Sequence, residues 1–383
     1  MFLLAPLPFL VVLYAWATAS FPWLAKRRRW VAGVLAGLWL IQLSAHFLSH
    51  SNHPSAFPRV IVELVLVPIV FAAMPISLLR LGSWIAGQIA ARAAGRPPMK
   101  PSEGQGMSRR QAVEAAGGVA LFGATGTMIG WGMVRGRHAF ELTEVPIAIQ
   151  GLPRVLDGYT IVQVSDIHAG DYVGERELDE GLSLVRGARP DLVVVTGDIV
   201  DFESERARLV ARRLVDLAPR DGVAAVLGNH DYYADQDEVT AAVRAAGIDM
   251  LVDEGRVIRR ADGGGFALLG VDDRWSIRYG RSGPRLAQAR AMVPPDLARI
   301  LLSHQPQTIE GWAGQVALQL SGHTHGGQIN PGFRPANIFL KYVSGLYRVD
   351  GTALYVNRGF GTVATPARIG APPEVTRFVL VAA

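Results

Sequence analysis

The stretch VALQLSGHTHGGQ, residues 316–328, sets an apolar run against two histidines, His323 and His325, with glycines on both sides. The apolar half has the composition and length of a buried strand. The polar half has neither strand nor helix periodicity. Glycines this dense cost chain entropy on folding. One reading is a plain surface turn. The other is a metal site, in which a sharply bent backbone aims two neutral imidazoles at ions. The rest of the chain has to decide.

The same arrangement recurs upstream. TIVQVSDIH (160–168) ends in Asp166 and His168, and DLVVVTGDIV (191–200) runs into Asp198, with Asp201 three residues later. GVAAVLGNHD (222–231) ends in Asn229, His230 and Asp231, and RILLSHQP (299–306) contains His304. FALLGVDD (266–273) and ALYVNRGFG (353–361) are further apolar runs, and Asp272 and Asp273 read as turn residues. Residues 176–187, 203–217 and 236–246 read as amphipathic helices between the runs. Alternating buried strands and helices define an α/β domain, expected over residues 138–383. Taken alone, each polar cluster is an ordinary turn, and His304 a satisfied buried histidine. Together they fall at five strand ends and use five of the nine histidines. Open α/β sheets gather their ligands at the carboxyl ends of strands, so the clusters are expected to converge.

The donor chemistry agrees. Asp, Asn and His offer oxygen and nitrogen, and the chain has no cysteine. That set suits Mn²⁺, Fe or Zn²⁺ and excludes a thiolate zinc site. Seven ligands exceed what one catalytic ion with an open position takes. They fit two ions sharing a bridge, roughly 3.5–4 Å apart.

The ordered set DIH, GDIVD, GNHD, SHQP and GHTHGG resembles the calcineurin-like metallophosphoesterase superfamily over residues 138–383. The tail from GHTHGGQI through YVSGLY, LYVNRGFGT and P-x-R is similar to its membrane-anchored or exported bacterial branch. The resemblance implies a four-layer α/β/β/α sandwich and a hydrolase of phosphate mono- or diesters. It implies that Asp166, His168 and His325 hold one divalent ion, that Asn229, His304 and His323 hold a second, and that Asp198 bridges both. A hydroxide between the ions would attack phosphorus. His230 would meet the phosphate or protonate the leaving oxygen, oriented by Asp231. From position alone, Asp201 either supports a ligand or caps a helix, and Arg358, after a late strand, is a candidate contact for substrate phosphate.

The first third is written for a bilayer. Residues 1–25, 30–48, 60–79 and 115–134 are uncharged or nearly so, and runs of this length cross a membrane as helices. Residues 1–137 carry thirteen Lys/Arg against three Asp/Glu, whereas 138–383 carry twenty-five against thirty. Lys26 to Arg29 and the group Arg92, Arg96, Lys100, Arg109 and Arg110 lie in the two loops expected to stay cytoplasmic. The catalytic domain is then expected on the extracytoplasmic face of a multi-pass cell-membrane protein. Residues 108–111 read either as a twin-arginine signal or as the positive flank of the fourth span. His46, His50 and His53 share a helical face, as interfacial polar residues or a second metal site, and Glu63 reads as packed between spans. The acidic balance of the domain excludes general nucleic-acid binding.

An outward-facing, tethered phosphoesterase points to lipid-linked or envelope substrates. Phe333, Ile338, Phe339, Leu340, Tyr342, Leu346 and Tyr347 are either core or a groove for an acyl chain. The resemblance also raises a pyrophosphatase of UDP-2,3-diacylglucosamine, whose substrate belongs to the cytoplasm. A membrane sensor using the fold without turnover is the reading of another class, and the complete ligand set weighs against it.

Overall fold

Val, Ile and Leu dominate the short runs because β-branched side chains pack well on a pleated surface buried on both faces. A computed structural model describes residues 7–49, 67–95, 109–260 and 263–383. The chain divides into two units, Met1–Trp131 and Gly132–Ala383.

In the first unit, helices run over Leu7–Ser20, Pro22–Lys26, Arg28–Ser49 and Val67–Ala93, and a further helix, Arg109–Val134, carries on across the boundary. Phe21 is extended and Pro22 opens the second helix, so the first apolar stretch is broken there. Trp16, Ala17 and Ile76 form a small core. Among the described residues, Ala115–His138 is the segment long and apolar enough to cross a membrane. His50, His53, Glu63 and Ser108 lie outside the described residues.

The second unit holds twelve strands, numbered in chain order. β1 is Glu141–Ile149, β2 Thr160–Val164, β3 Leu192–Thr196, β4 Val223–Val226, β5 Asp249–Met250 and β6 Glu254–Arg259. β7 is Gly265–Gly270, β8 Arg299–Leu302, β9 Leu318–Ser321, β10 Gly345–Val349, β11 Thr352–Val356 and β12 Glu374–Ala382. They form two six-stranded sheets of mixed direction, ordered β1-β12-β2-β3-β4-β5 and β10-β11-β9-β8-β7-β6. In the first sheet β2, β3 and β4 are parallel neighbours, and in the second β7, β8 and β9 are.

Alternation along the strands sorts the core into layers. Ile161, Leu192 and Val194 point between the sheets, where they meet Leu268, Ile300, Leu302 and Leu320. Val162, Val193 and Val195 point the other way, onto Leu178, Leu182, Val210 and Val239 of the helices Glu175–Gly187, Ala207–Val215 and Gln236–Ala245. Outside the second sheet, Ala267 and Leu269 pack on Leu286 and Ala289 of a short helix, Leu286–Ala291. The order is helix, sheet, sheet, helix, as expected for the four-layer sandwich. Two parallel ribbons thus end side by side at one edge of the stack.

Candidate metal centre

Each polar cluster leaves the carboxyl end of a parallel strand. Asp166 and His168 follow β2, Asp198 follows β3, Asn229 and His230 follow β4, His304 follows β8, and His323 and His325 follow β9. The chain turns out of the sheet at once, and five of these residues adopt left-handed backbone: Asp166, His168, Asp198, His323 and His325, with φ between 50° and 72°. Non-glycine residues rarely sit there, and held strain of this kind clusters at functional sites. Gly322 explains itself by space, because a Cβ there would overlap the Ser165 hydroxyl and the Asp166 carboxylate.

Three overlapping groups of donors result. Asp166, His168 and His325 form one; Asp198, His304 and His323 another; His168, Asp198 and His230 a third, with the donor atoms of each group within 4.8 Å of one another. Asp198 Oδ2 lies 3.5 Å from His168 Nε2 and 3.2 Å from His304 Nε2, so its carboxylate stands between the first two groups. Asn229 Oδ1 is 3.2 Å from His304 Nε2, and His323 Nδ1 is 3.1 Å from the same nitrogen. On the other side, His168 Nε2 and His325 Nε2 are 3.1 Å apart. All seven expected ligands therefore come together.

Supporting bonds aim them. His304 Nδ1 lies 2.8 Å from the Thr196 carbonyl, which fixes that nitrogen as the donor and turns Nε2 inward. The Asp166 carboxylate accepts from His323 N–H at 2.9 Å, and the Asp198 carboxylate from His230 N–H at 2.8 Å.

The electrostatics fit cations. Burial and the neighbouring His304 push the His323 imidazole down to about 3, and burial with the His168 and Arg368 charges holds His325 well below the ordinary range. Both rings are thus neutral, as a ligand must be. Burial opposes ionisation of Asp198, yet the surrounding imidazoles, His304 foremost, keep it ionised far below the usual carboxylate range. Imidazole nitrogens converging on buried carboxylates, with no sulfur, suit a pair of divalent ions such as Mn²⁺, Fe²⁺ or Zn²⁺.

Two expected roles are corrected by placement. His230 and Asp231 are adjacent on the short helix Asn229–Ala234, and neighbouring side chains on a helix diverge. Asp231 turns away and accepts from the backbone N–H groups of Ile199, Val200 and Gly228. The carboxylate beside His230 belongs to Asp201, with Oδ1 2.9 Å from Nδ1. Arg358, expected to reach substrate phosphate, instead donates through Nε to Glu374 at 3.0 Å and through its terminal nitrogen to Glu141 at 2.9 Å. Asp272 and Asp273, read as turn residues, are buried; Tyr232 donates to Asp272, and Asp273 caps the turn at Trp275.

One residue escaped sequence reasoning. Arg368 is 1% exposed and lies behind His325. Its guanidinium donates to the carbonyls of His325, Arg358, Gly359, Gly361 and Ala371. Burial lowers its pKa to about 9. The P-x-R signature in the tail marked the position without its role.

Comparison with known proteins follows the same lines. The profile of the calcineurin-like phosphoesterase family matches residues 159–327. An uncharacterized metallophosphoesterase of Bacillus subtilis (strain 168) is 34% identical over 284 residues, 72% of this chain and 98% of its own length. A transmembrane protein with metallophosphoesterase domain from Danio rerio is 34% identical over 67% of this chain and 61% of its own length. An uncharacterized metallophosphoesterase of Campylobacter jejuni is 32% identical over 62% of this chain and 63% of its own length. The match thus spans somewhat over three fifths of the Danio rerio and Campylobacter jejuni relatives.

Proposed function

The chain belongs to the calcineurin-like phosphoesterase family, a family of phosphoric ester hydrolases using two divalent metals, and from that premise we propose a membrane-anchored phosphoesterase with a dinuclear site. The reading divides the chain into a membrane region, residues 1–137, with four spans, and a catalytic domain, residues 138–383, on the extracytoplasmic face. The observation that carries it is the Asp198 carboxylate, set between a donor group around Asp166 and one around His304.

Asp166, His168 and His325 would hold one ion, and Asn229, His304 and His323 the other, with Asp198 reaching both. When bound, the ions would neutralise phosphoryl charge and supply an activated water. The chain's own residues do the rest. His230 is 8% exposed and stands edge-on to His168, with ring centroids 4.5 Å apart. Burial pulls its imidazole down, but the Asp198 and Asp201 carboxylates outweigh burial and raise its pKa above the ordinary value. A ring so held favours its protonated form and can give that proton to a leaving oxygen. Asp201 fixes the ring through Nδ1, which leaves Nε2 for the substrate.

The substrate is a phosphate mono- or diester of a lipid-linked or envelope compound. A hydrolase tethered to the bilayer meets such compounds, and the Danio rerio relative carries transmembrane in its name. The test uses the full-length chain in detergent. Release of p-nitrophenol from bis(p-nitrophenyl) phosphate and from the monoester is followed with Mn²⁺, with EDTA and in Asp198→Asn. Mn²⁺-dependent turnover lost in the variant supports the reading, and the faster substrate assigns diester or monoester chemistry. Turnover untouched by both EDTA and the substitution would refute it.

A further inference from the structure

The segment after the last two histidines leaves large apolar side chains in the open. Phe333 is 62% exposed, Ile338 73% and Phe339 83%. Single exposed apolar residues are ordinary, but three such side chains within seven residues mark an interaction surface. Either alternative, core or acyl groove, would need these residues to face inward; Tyr342 and Tyr347 do pack with Ile309 and Val356, whereas these three are exposed.

We infer that this loop is an interfacial anchor, by which the catalytic unit seats itself on a bilayer surface rich in anionic headgroups. Charge specifies the occupant. Arg334, Lys341 and Arg348 are exposed around the apolar tip, and no acidic residue occurs between Glu310 and Asp350. Glu310 pairs with Lys341 at 3.0 Å, and Arg334 donates to the Ser344 hydroxyl. Leu346 and Arg348 share the outward face of the edge strand β10, which repeats the apolar-and-basic pairing. Apolar tips flanked by cations are how proteins settle at the headgroup boundary of anionic membranes.

Backbone bonds fix the base of the loop within the unit. Asn330 N–H donates to the Ile369 carbonyl at 2.7 Å, and Arg368 N–H donates to the Gly132 carbonyl at 3.2 Å. A Cβ on Gly132 would meet the Ile369 side chain at 2.8 Å. Gly132 is the first residue of the second unit, so these bonds tie the base of the loop to the start of that unit. The same loop is also a rim of the metal centre. Gly327, at φ +83°, has no room for a Cβ because Ala336 and Asn330 press on it, and Asn330 Nδ2 donates to the Gly326 carbonyl. The docking surface goes beyond the hydrolase reading and needs no turnover to exist.

The chain has no cysteine, so single reporters are unambiguous. Phe339→Cys, Ile338→Cys and, as an exposed control on the helix beside the edge strand β5, Arg244→Cys are labelled with nitrobenzoxadiazole in the full-length chain. Each is placed in phosphatidylcholine nanodiscs with and without phosphatidylglycerol, carrying lipids spin-labelled on the acyl chain. Labels at 338 and 339 are expected to shift to the blue and to be quenched several-fold more than at 244, in the anionic discs. Adding Arg334→Glu and Lys341→Glu should abolish the difference. Labels as exposed as the control in both discs would overturn the inference. So would equal quenching without phosphatidylglycerol, or shielding seen only when two chains share a disc, which would assign the face to a second copy.

Discussion

At the scale of single residues, the account separates two neighbouring carboxylates that the sequence could not. Adjacency in GNHD pointed to Asp231 as the partner of His230, yet consecutive side chains on a helix diverge by about 100°. Asp201 reaches the ring from the loop after β3, a contact across 29 residues that no local pattern encodes. The expected outcome is a split. Asp201→Asn should lower kcat about 10- to 100-fold, the range for losing a supporting hydrogen bond of this kind. It should also move the alkaline limb of the pH–rate profile. Asp201 raises the His230 pKa, so removing it lowers that pKa, and the protonated acid is lost at lower pH. Asp231→Asn should instead cost stability, about 1–3 kcal/mol, because the backbone N–H groups of Ile199, Val200 and Gly228 lose a carboxyl acceptor. Denaturant titration and pH profiles of the two variants check this, and the reverse pattern would return the orienting role to Asp231.

At the scale of elements, legibility followed burial. Strands buried on both faces, β2, β3, β4, β8 and β9, wrote themselves as unbroken aliphatic runs, and the ligands were legible because each run ended in them. The outer strands did not. β1 mixes Glu141, Glu144 and Pro146 with apolar residues, and only its last positions are buried. Its register is set by β12, more than two hundred residues away. Long-range pairing of that kind leaves no local periodicity to read. Arg368 is the element-scale counterpart: one buried guanidinium ties the loop after β9 to the loops after β11 and before β12. Arg368→Ala would leave several buried carbonyls unmatched. The expected loss is about 3–5 kcal/mol of unfolding free energy, with Arg368→Lys recovering part of it. A loss below about 1 kcal/mol, the scale of a surface pair, would show that the clamp carries no weight.

At the scale of the whole molecule, the proposed topology rests on the charge split between the two parts of the chain. Thirteen basic residues against three acidic ones before residue 138 fit a membrane region whose basic loops remain inside. Hydropathy spoke plainly about apolar length but not about packing, and the described part carries one segment, Ala115–His138, that meets the requirement for a span. Alkaline phosphatase fused after Ala383 should be active, and a cytoplasmic reporter fused there silent. The opposite result would place the catalytic unit in the cytoplasm and bring the UDP-2,3-diacylglucosamine reading forward. The central claim is smaller in scale: one carboxylate, Asp198, would serve two ions at once. Its most direct measurement is electron paramagnetic resonance of the full-length chain loaded with Mn²⁺, beside metal analysis by mass spectrometry. The account predicts two manganese ions per chain and the multiline spectrum of an exchange-coupled pair, replaced by uncoupled signals in Asp198→Asn. One ion per chain, or two without coupling in the unaltered protein, would contradict it.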